Sequence, residues 1–387
     1  MYFLYHFKLK MKYILNKPYI DELEFKYVNS VLRSGWLSVG GKYNKLFEKS
    51  FSKLINTKYV ISVQNGTASL HLALKALGTK SEHKIIIPSF SCSANISSIA
   101  QCNATAVIVD VEDETFGLDY DLVKKAIEKN KIYALQLVHV YGFPARDTEK
   151  IIKLCKKKNI KVIEDGSEAL GASIGKKMIG EFGDISVFSI RSEKMIGVGE
   201  GAMICTNNKS TYDKLILLAS RNMPFRSSRH PYWKKYVSLG EGYNYLMPHV
   251  LGAIGYAQLK KFNFIKKNKI RVGNLYQSIF KEFNLQKKIK YNKQVYWLNC
   301  IRFENFSQKK VKFIGNFLKN KGLEVRSGFW PLYNTPNIKK IVVTKNDIAK
   351  KLYDSLIVLP SNLELKKKDV LYFKSQILRA IQAFEKN

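Results

Sequence analysis

Between residues 58 and 206 short apolar runs alternate with helical segments, and no other feature limits the fold of this chain as strongly. The strand-like runs are "KYVISV" (58–63), "KIIIPS" (84–89), "ATAVIVDV" (104–111), "YALQLVHVYG" (133–142), "IKVIED" (160–165), "DISVFSI" (184–190) and "GAMICT" (201–206). Between them lie helical stretches such as "TASLHLALKALG" (67–78), apolar nearly all round and therefore expected to be buried. Unbroken Val/Ile runs separated by helices predict an α/β fold with a mostly parallel sheet covered on both faces. Ligands of such sheets bind outside the carboxyl ends of the strands, so those ends are where chemistry is expected.

Three strand ends carry a signal. After "YVISV" comes "QNGTAS", where Gly66 and Thr67 offer free backbone N–H groups and a hydroxyl at a helix start, a cradle for phosphate. By itself this is equally a helix cap. After "IKVI" comes Asp165, a carboxylate closing a buried strand, which needs either a capping role or a cationic partner. After "ISVFSI" comes Lys194, with Ser189 before it and the glycine-rich "GVGEG" behind it. A solvated loop lysine is one reading; the other is a partly buried amine able to form a Schiff base with a carbonyl. Together the parts match one cofactor. Pyridoxal phosphate needs a lysine for its aldehyde, a carboxylate for its pyridinium nitrogen and a helix start with hydroxyls for its phosphate.

Composition bounds the rest. With 46% hydrophobic residues the chain suits an ordered protein, and no apolar run approaches the roughly 20 residues of a membrane helix. Its five cysteines are scattered singly, so neither a disulfide framework nor a metal site is expected, and a reducing cytoplasm is. The formal charge of +34 is mostly lysine, since only 10 of the 65 basic residues are arginine, and its runs are short and dispersed. That predicts solvated helix faces and no nucleic-acid binding, with a positive mouth kept at the active site. Residues 1–17 read as a poorly ordered leader, 18–265 as a large cofactor-binding domain and 266–387 as a smaller α+β domain.

The chain resembles the DegT/DnrJ/EryC1/StrS sugar aminotransferases, fold-type I pyridoxal phosphate enzymes, and within them a perosamine-synthase-like branch. The resemblance rests on "SGWLSVGGKYNKLFE" (34–48), "NGTASLHLAL" (65–74), "PSFSCSANISSI" (88–99), "VHVYGFP" (138–144), "VIEDGSEALGA" (162–172), "GDISVFSIRSEKMIGVGEGAM" (183–203), "GYNYLM" (242–247) and "EVRSGFWPLYNTP" (324–336). It implies that Lys194 carries the cofactor and shuttles protons, and that Asp165 pairs with the pyridinium nitrogen. It further implies that the N–H groups of Thr67 and Ala68, following Gly66, hold the phosphate with the Ser189 hydroxyl. Asn244 would reach the phosphate from the other subunit of a homodimer, and Glu168 would lie beside the ring oxygen. Trp36, Arg326 and Trp330 fall in segments lining the sugar-nucleotide side.

Three positions depart from the family pattern. Cys92 stands where an aromatic ring usually stacks on the cofactor, Leu246 where an arginine is usual, and Tyr333 where a histidine is usual. The reaction implied is transfer of an amino group from L-glutamate, through pyridoxamine phosphate, to a nucleotide-linked keto-deoxysugar for surface polysaccharide such as lipopolysaccharide O-antigen. The alternative is a keto-sugar dehydratase of the same family. That branch carries histidine in place of the Schiff-base lysine, so Lys194 favours transamination.

Overall fold

The computed structural model describes residues 11–224, 236–344 and 346–386. Its centre is an eight-stranded sheet in the order Tyr59–Val63, Ala202–Thr206, Ile185–Ser189, Lys161–Asp165, Ile132–Val138, Lys84–Pro88, Thr105–Val109 and Lys340–Val343. Ala202–Thr206 runs antiparallel to both neighbours, and the other seven strands point one way. Alternate residues of single strands enter different cores. Ile85 and Ile87 pack with helix Gly66–Ala76 on one face, whereas Ile86 packs with Leu122, Val123 and Ile151 on the other. Two apolar faces are why these strands read as unbroken Val/Ile runs. Helix Gly66–Ala76 is buried at every position from Ala68 to Leu74, as its sequence predicts.

A smaller unit packs beside this sheet. Asn299–Arg302, Leu356–Leu359 and Arg326–Ser327 form a three-stranded antiparallel sheet, which shares a core with helices Phe262–Ile279, Gln308–Asn320 and Lys367–Glu385. Two expected boundaries differ from the structure. Helix Phe262–Ile279 runs straight through the expected break at 265/266. Lys340–Val343, expected in the small domain, is the edge strand of the large sheet, parallel to Thr105–Val109. Asp110 secures this return: its buried carboxylate accepts from Thr344 Oγ1 and from the N–H groups of Ile348 and Ala349, at the start of helix Ile348–Ser355.

The leader expectation is corrected in its second half. Residues 1–10 lie outside the described residues, but 13–16 are tied down. Tyr13 exchanges backbone hydrogen bonds with Gly322 and Glu324, Ser361 N–H donates to the Leu15 carbonyl, and Leu15 is 1% exposed. Backbone pairing orders a segment whose side chains show no period.

Candidate active site

The carboxyl ends of five strands converge on a cleft of about 560 Å³. Gly66, Thr67, Ala68, Cys92, Asp165, Glu168, Ser189, Lys194 and Arg326 all line it. Sequence positions spread over 260 residues therefore meet in one place.

Asp165 is 5% exposed and closes strand Lys161–Asp165. Its carboxylate accepts from Asn95 Nδ2 at 3.0 Å and from the Ser167 N–H at 3.0 Å. Both donors are neutral, and Asp165 has no ion-pair partner among the described residues, so this buried carboxyl at the cleft suits a cationic group.

Lys194 is not a solvated loop lysine. Its side chain is 14% exposed, its Nζ donates to Glu168 Oε1 at 3.3 Å, and it lies 3.7 Å from the centroid of the Trp297 ring. Glu168 is itself buried, and its other oxygen accepts from the Tyr141 N–H at 3.0 Å. Burial raises the Glu168 carboxyl above its ordinary range, against the opposing pull of Lys194.

The phosphate cradle takes a slightly different form from the one expected. Helix Gly66–Ala76 begins at the cleft, but the Ala68 N–H already donates to the side chain of its cap, Asn65, at 2.8 Å. The Ala68 N–H thus has the Asn65 side chain as a partner, and the N–H groups of Gly66 and Thr67 have none among the described residues. A Cβ on Gly66 would come within 3.1 Å of Ser189 Cβ and 3.2 Å of its Oγ, so a side chain there would crowd the gap between helix start and hydroxyl. A group with an anionic end, a cationic ring nitrogen and an aldehyde fits these residues at all three points.

Trp36, Trp330 and Asn244 do not line this cleft. Trp36 is 58% exposed, with its indole N–H on the Val39 carbonyl. Trp330 stacks edge-on against Tyr353 in an adjoining cavity that shares Trp297, Arg326 and Phe329 with the main cleft. Asn244 is exposed and backbone-bridged to Ser220, while its neighbour Tyr245 lines the cleft. Of the three departures, Cys92 is exposed at the cleft, and the aromatic rings there are Tyr245, Trp297 and Phe329. Leu246 bridges to Val63 and packs, half-buried, against the core, and the Tyr333 hydroxyl donates to Asp347.

A positive mouth is not what this chain provides alone. Arg191, Lys194 and Arg326 are set against Asp165, Glu168, Glu193 and Glu200, and Arg326 is held by Glu193 in a two-pronged pair at 2.8 and 2.9 Å. The pairing neutralises the excess that the overall charge suggested. Lysine run 156–159, by contrast, is exposed on an outer helix end.

Sequence reading missed Asn95 and Trp297. Asn95 follows Cys92 in a recognised segment, and its polarity at a fully buried position is the available signal. Trp297 arrives from the small domain because Gly142 lets it approach. Any Cβ there would meet the Trp297 and Tyr296 backbone nitrogens at 2.5 and 2.7 Å.

Residues 18–377 match the model of the DegT/DnrJ/EryC1/StrS aminotransferase family. The chain belongs to this family. It is accordingly a pyridoxal phosphate-dependent aminotransferase. It is 34% identical over 369 residues to a GDP-perosamine synthase of Escherichia coli O157:H7, covering 95% of this chain and 98% of that one. A GDP-perosamine synthase of Vibrio cholerae is 34% identical over 322 residues, covering 83% of this chain and 85% of that one. A spore coat polysaccharide biosynthesis protein of Bacillus subtilis is 29% identical over 273 residues, 68% of each chain. Among solved structures, a DegT DnrJ EryC1 StrS aminotransferase from Brucella abortus superposes with a TM-score of 0.82 at 20% identity, covering 94% of this chain and 95% of that one. An E. coli GDP-4-keto-6-deoxy-D-mannose-3-dehydratase with bound hydrated PLP gives 0.86 at 22% identity, covering 95% and 99%. At such identities the superpositions show the fold alone. No helix among the described residues is long and apolar enough to cross a membrane.

Proposed function

We propose that the protein moves an amino group from L-glutamate to the carbonyl of a nucleotide-linked keto-deoxysugar, giving an amino sugar of the perosamine type for surface polysaccharide such as lipopolysaccharide O-antigen. The observation that carries this reading is the Lys194 amine on the buried Glu168 carboxyl, with the buried Asp165 carboxyl in the same cleft. The synthase relatives support the sugar class. Lysine in place of histidine at position 194 disfavours the dehydratase alternative.

Bound pyridoxal phosphate supplies an electron sink for the carbon that gains or loses a proton. The protein's residues do the rest. Asp165 holds the ring nitrogen protonated, and Asn95 and the Ser167 N–H keep that carboxylate aimed. The N–H groups of Gly66 and Thr67 and the Ser189 hydroxyl seat the phosphate. Lys194 Nζ moves the proton to and from the substrate carbon, with Glu168 beside it as hydrogen-bond partner. Asn244, exposed and outside the lining of its own cleft, reaches the phosphate of a second copy in a homodimer, and the enzyme works in the cytoplasm.

The test is incubation with pyridoxal phosphate, L-glutamate and GDP-4-keto-6-deoxymannose, followed by mass spectrometry of the sugar nucleotide. An aminated product is expected. A product that has lost a hydroxyl and gained no nitrogen would make the protein a dehydratase.

A further inference from the structure

Lys269 lies near the middle of helix Phe262–Ile279 and is 2% exposed. A buried lysine is ordinarily paired with a carboxylate. This one meets three neutral oxygens instead: Asn16 Oδ1 at 3.0 Å, the Trp297 carbonyl at 2.7 Å and the Ser361 carbonyl at 2.6 Å. Three acceptors satisfy the three N–H groups of an ammonium. They come from the amino-terminal strap, the Trp297 segment and the turn after strand Leu356–Leu359, so one side chain joins three segments distant in sequence.

Two of those contacts lead onward to the same atom. Asn16 Nδ2 donates to the Glu193 carbonyl at 2.6 Å, and Trp297 Nε1 donates to that carbonyl at 2.5 Å. Glu193 precedes Lys194, and the ring of Trp297 faces Lys194 Nζ. The four groups form a closed circuit: Lys269, Asn16, the Glu193 carbonyl and Trp297.

We infer that Lys269 is a positioning residue for transamination, holding the Lys194 amine in register through Asn16 and Trp297. It touches none of the reacting atoms. Its function is to fix both the peptide that carries Lys194 and the aromatic ring against which the amine rests. An amine misplaced by even about 1 Å loses on the order of a hundredfold in rate. This inference rests on the assignment of Lys194 as the cofactor lysine, and the experiment separates the two.

Purified protein is loaded with pyridoxal phosphate and reduced with borohydride, and peptide mass spectrometry reads which lysine carries the cofactor and how fast it was taken up. Cofactor found on a lysine other than Lys194 in the wild-type protein would remove the assignment itself. With Lys194 labelled, Lys269→Met and Asn16→Ala are each expected to slow its loading, and to lower kcat for the glutamate half-reaction, about tenfold or more, with KM within about twofold. Val272→Ala, a buried change on the same helix that faces the small-domain core, is the control for lost stability. Loading rate and kcat that fall no further in Lys269→Met than in Val272→Ala, at matched melting temperature, would reduce Lys269 to a structural residue. Where Lys269→Met does not accumulate folded, Asn16→Ala, which cuts one arm from the strap, decides by the same criterion.

Discussion

Asn95 donates from one amide nitrogen to two carbonyl-type oxygens, Asp165 Oδ2 at 3.0 Å and Gln136 Oε1 at 2.9 Å. Gln136 in turn donates to Ser98 Oγ, and Ser98 to the Asn95 carbonyl. The aim of Asp165 is therefore set by a buried amide that is itself clamped. Hydrogen bonds to a charged group contribute about 1.5–3 kcal/mol, so Asn95→Ala should lower kcat roughly ten- to a hundredfold with a smaller change in KM. In a double variant with Asp165→Asn the loss should not add, since both changes remove one function. Additive losses in steady-state kinetics would show Asn95 acting elsewhere.

Lys194→Ala should abolish turnover and, with it, the visible absorbance of the lysine-bound cofactor. Asp165→Asn should retain the fold and fall by about 10²–10⁴ in rate, the range of a group that governs proton transfer. Circular dichroism and a spectrophotometric half-reaction check both, and near-normal turnover in either variant would reassign the residue.

Glu168 gives a pH signature in the cofactor-free protein. Burial holds its carboxyl above the ordinary 4.5 in the folded state, so between 4.5 and that raised value the folded chain binds more protons than the unfolded chain. Stability contributed by this group is then full at or below pH 4.5 and is lost as pH rises through the folded value. Glu168→Gln, which keeps the acceptor for the Tyr141 N–H, should stabilise the protein at pH 8, with the gain shrinking as pH falls towards 4.5. Urea unfolding of the two proteins at pH 8 and pH 5 measures it, and a gap that does not change with pH would contradict the assignment.

A shared active site predicts complementation. Lys194→Ala and Asn244→Ala chains, each inactive or nearly so, form mixed dimers with one site that draws both intact residues. Random reassortment in a symmetric dimer should restore about a quarter of wild-type activity. No recovery after mass spectrometry has shown exchanged subunits would place Asn244 outside its neighbour's site.

The parts that sequence made legible are those with a local pattern. Val/Ile runs between helices announced the sheet, and Lys194, Asp165, Gly66, Thr67 and Ser189 were visible because each ends or follows a strand. Asn95, Trp297, Lys269 and Asn16 carry no such mark. Asn95 sits in the first turn of a short helix, Trp297 in a run that reads as strand, and Lys269 among other lysines of a basic helix. Their roles arise from contacts across up to 253 residues of separation, such as Lys269 with Asn16. The order of 13–16 is hidden for a related reason: main-chain pairing leaves no trace in side-chain order. The lack of a positive excess at the cleft mouth arises from Glu193 and Glu200 pairing with Arg326 and Arg191, and a total charge does not foretell such pairings.

Lys340–Val343 completes the central sheet only after some 230 further residues have followed its partner strand Thr105–Val109. During synthesis the emerging chain can pair six neighbouring strands to one side of that partner, yet its other edge waits for the carboxyl-terminal part of the polypeptide to leave the ribosome. Over that interval the nascent protein presents unsatisfied amide groups beside a Val/Ile row, a surface prone to pairing with other unfinished chains. Proline at Ile341 or Val342, which breaks this pairing while leaving Leu356–Leu359 and the last helix in the chain, should thus promote aggregation, although every residue lining the cofactor cleft would still be present.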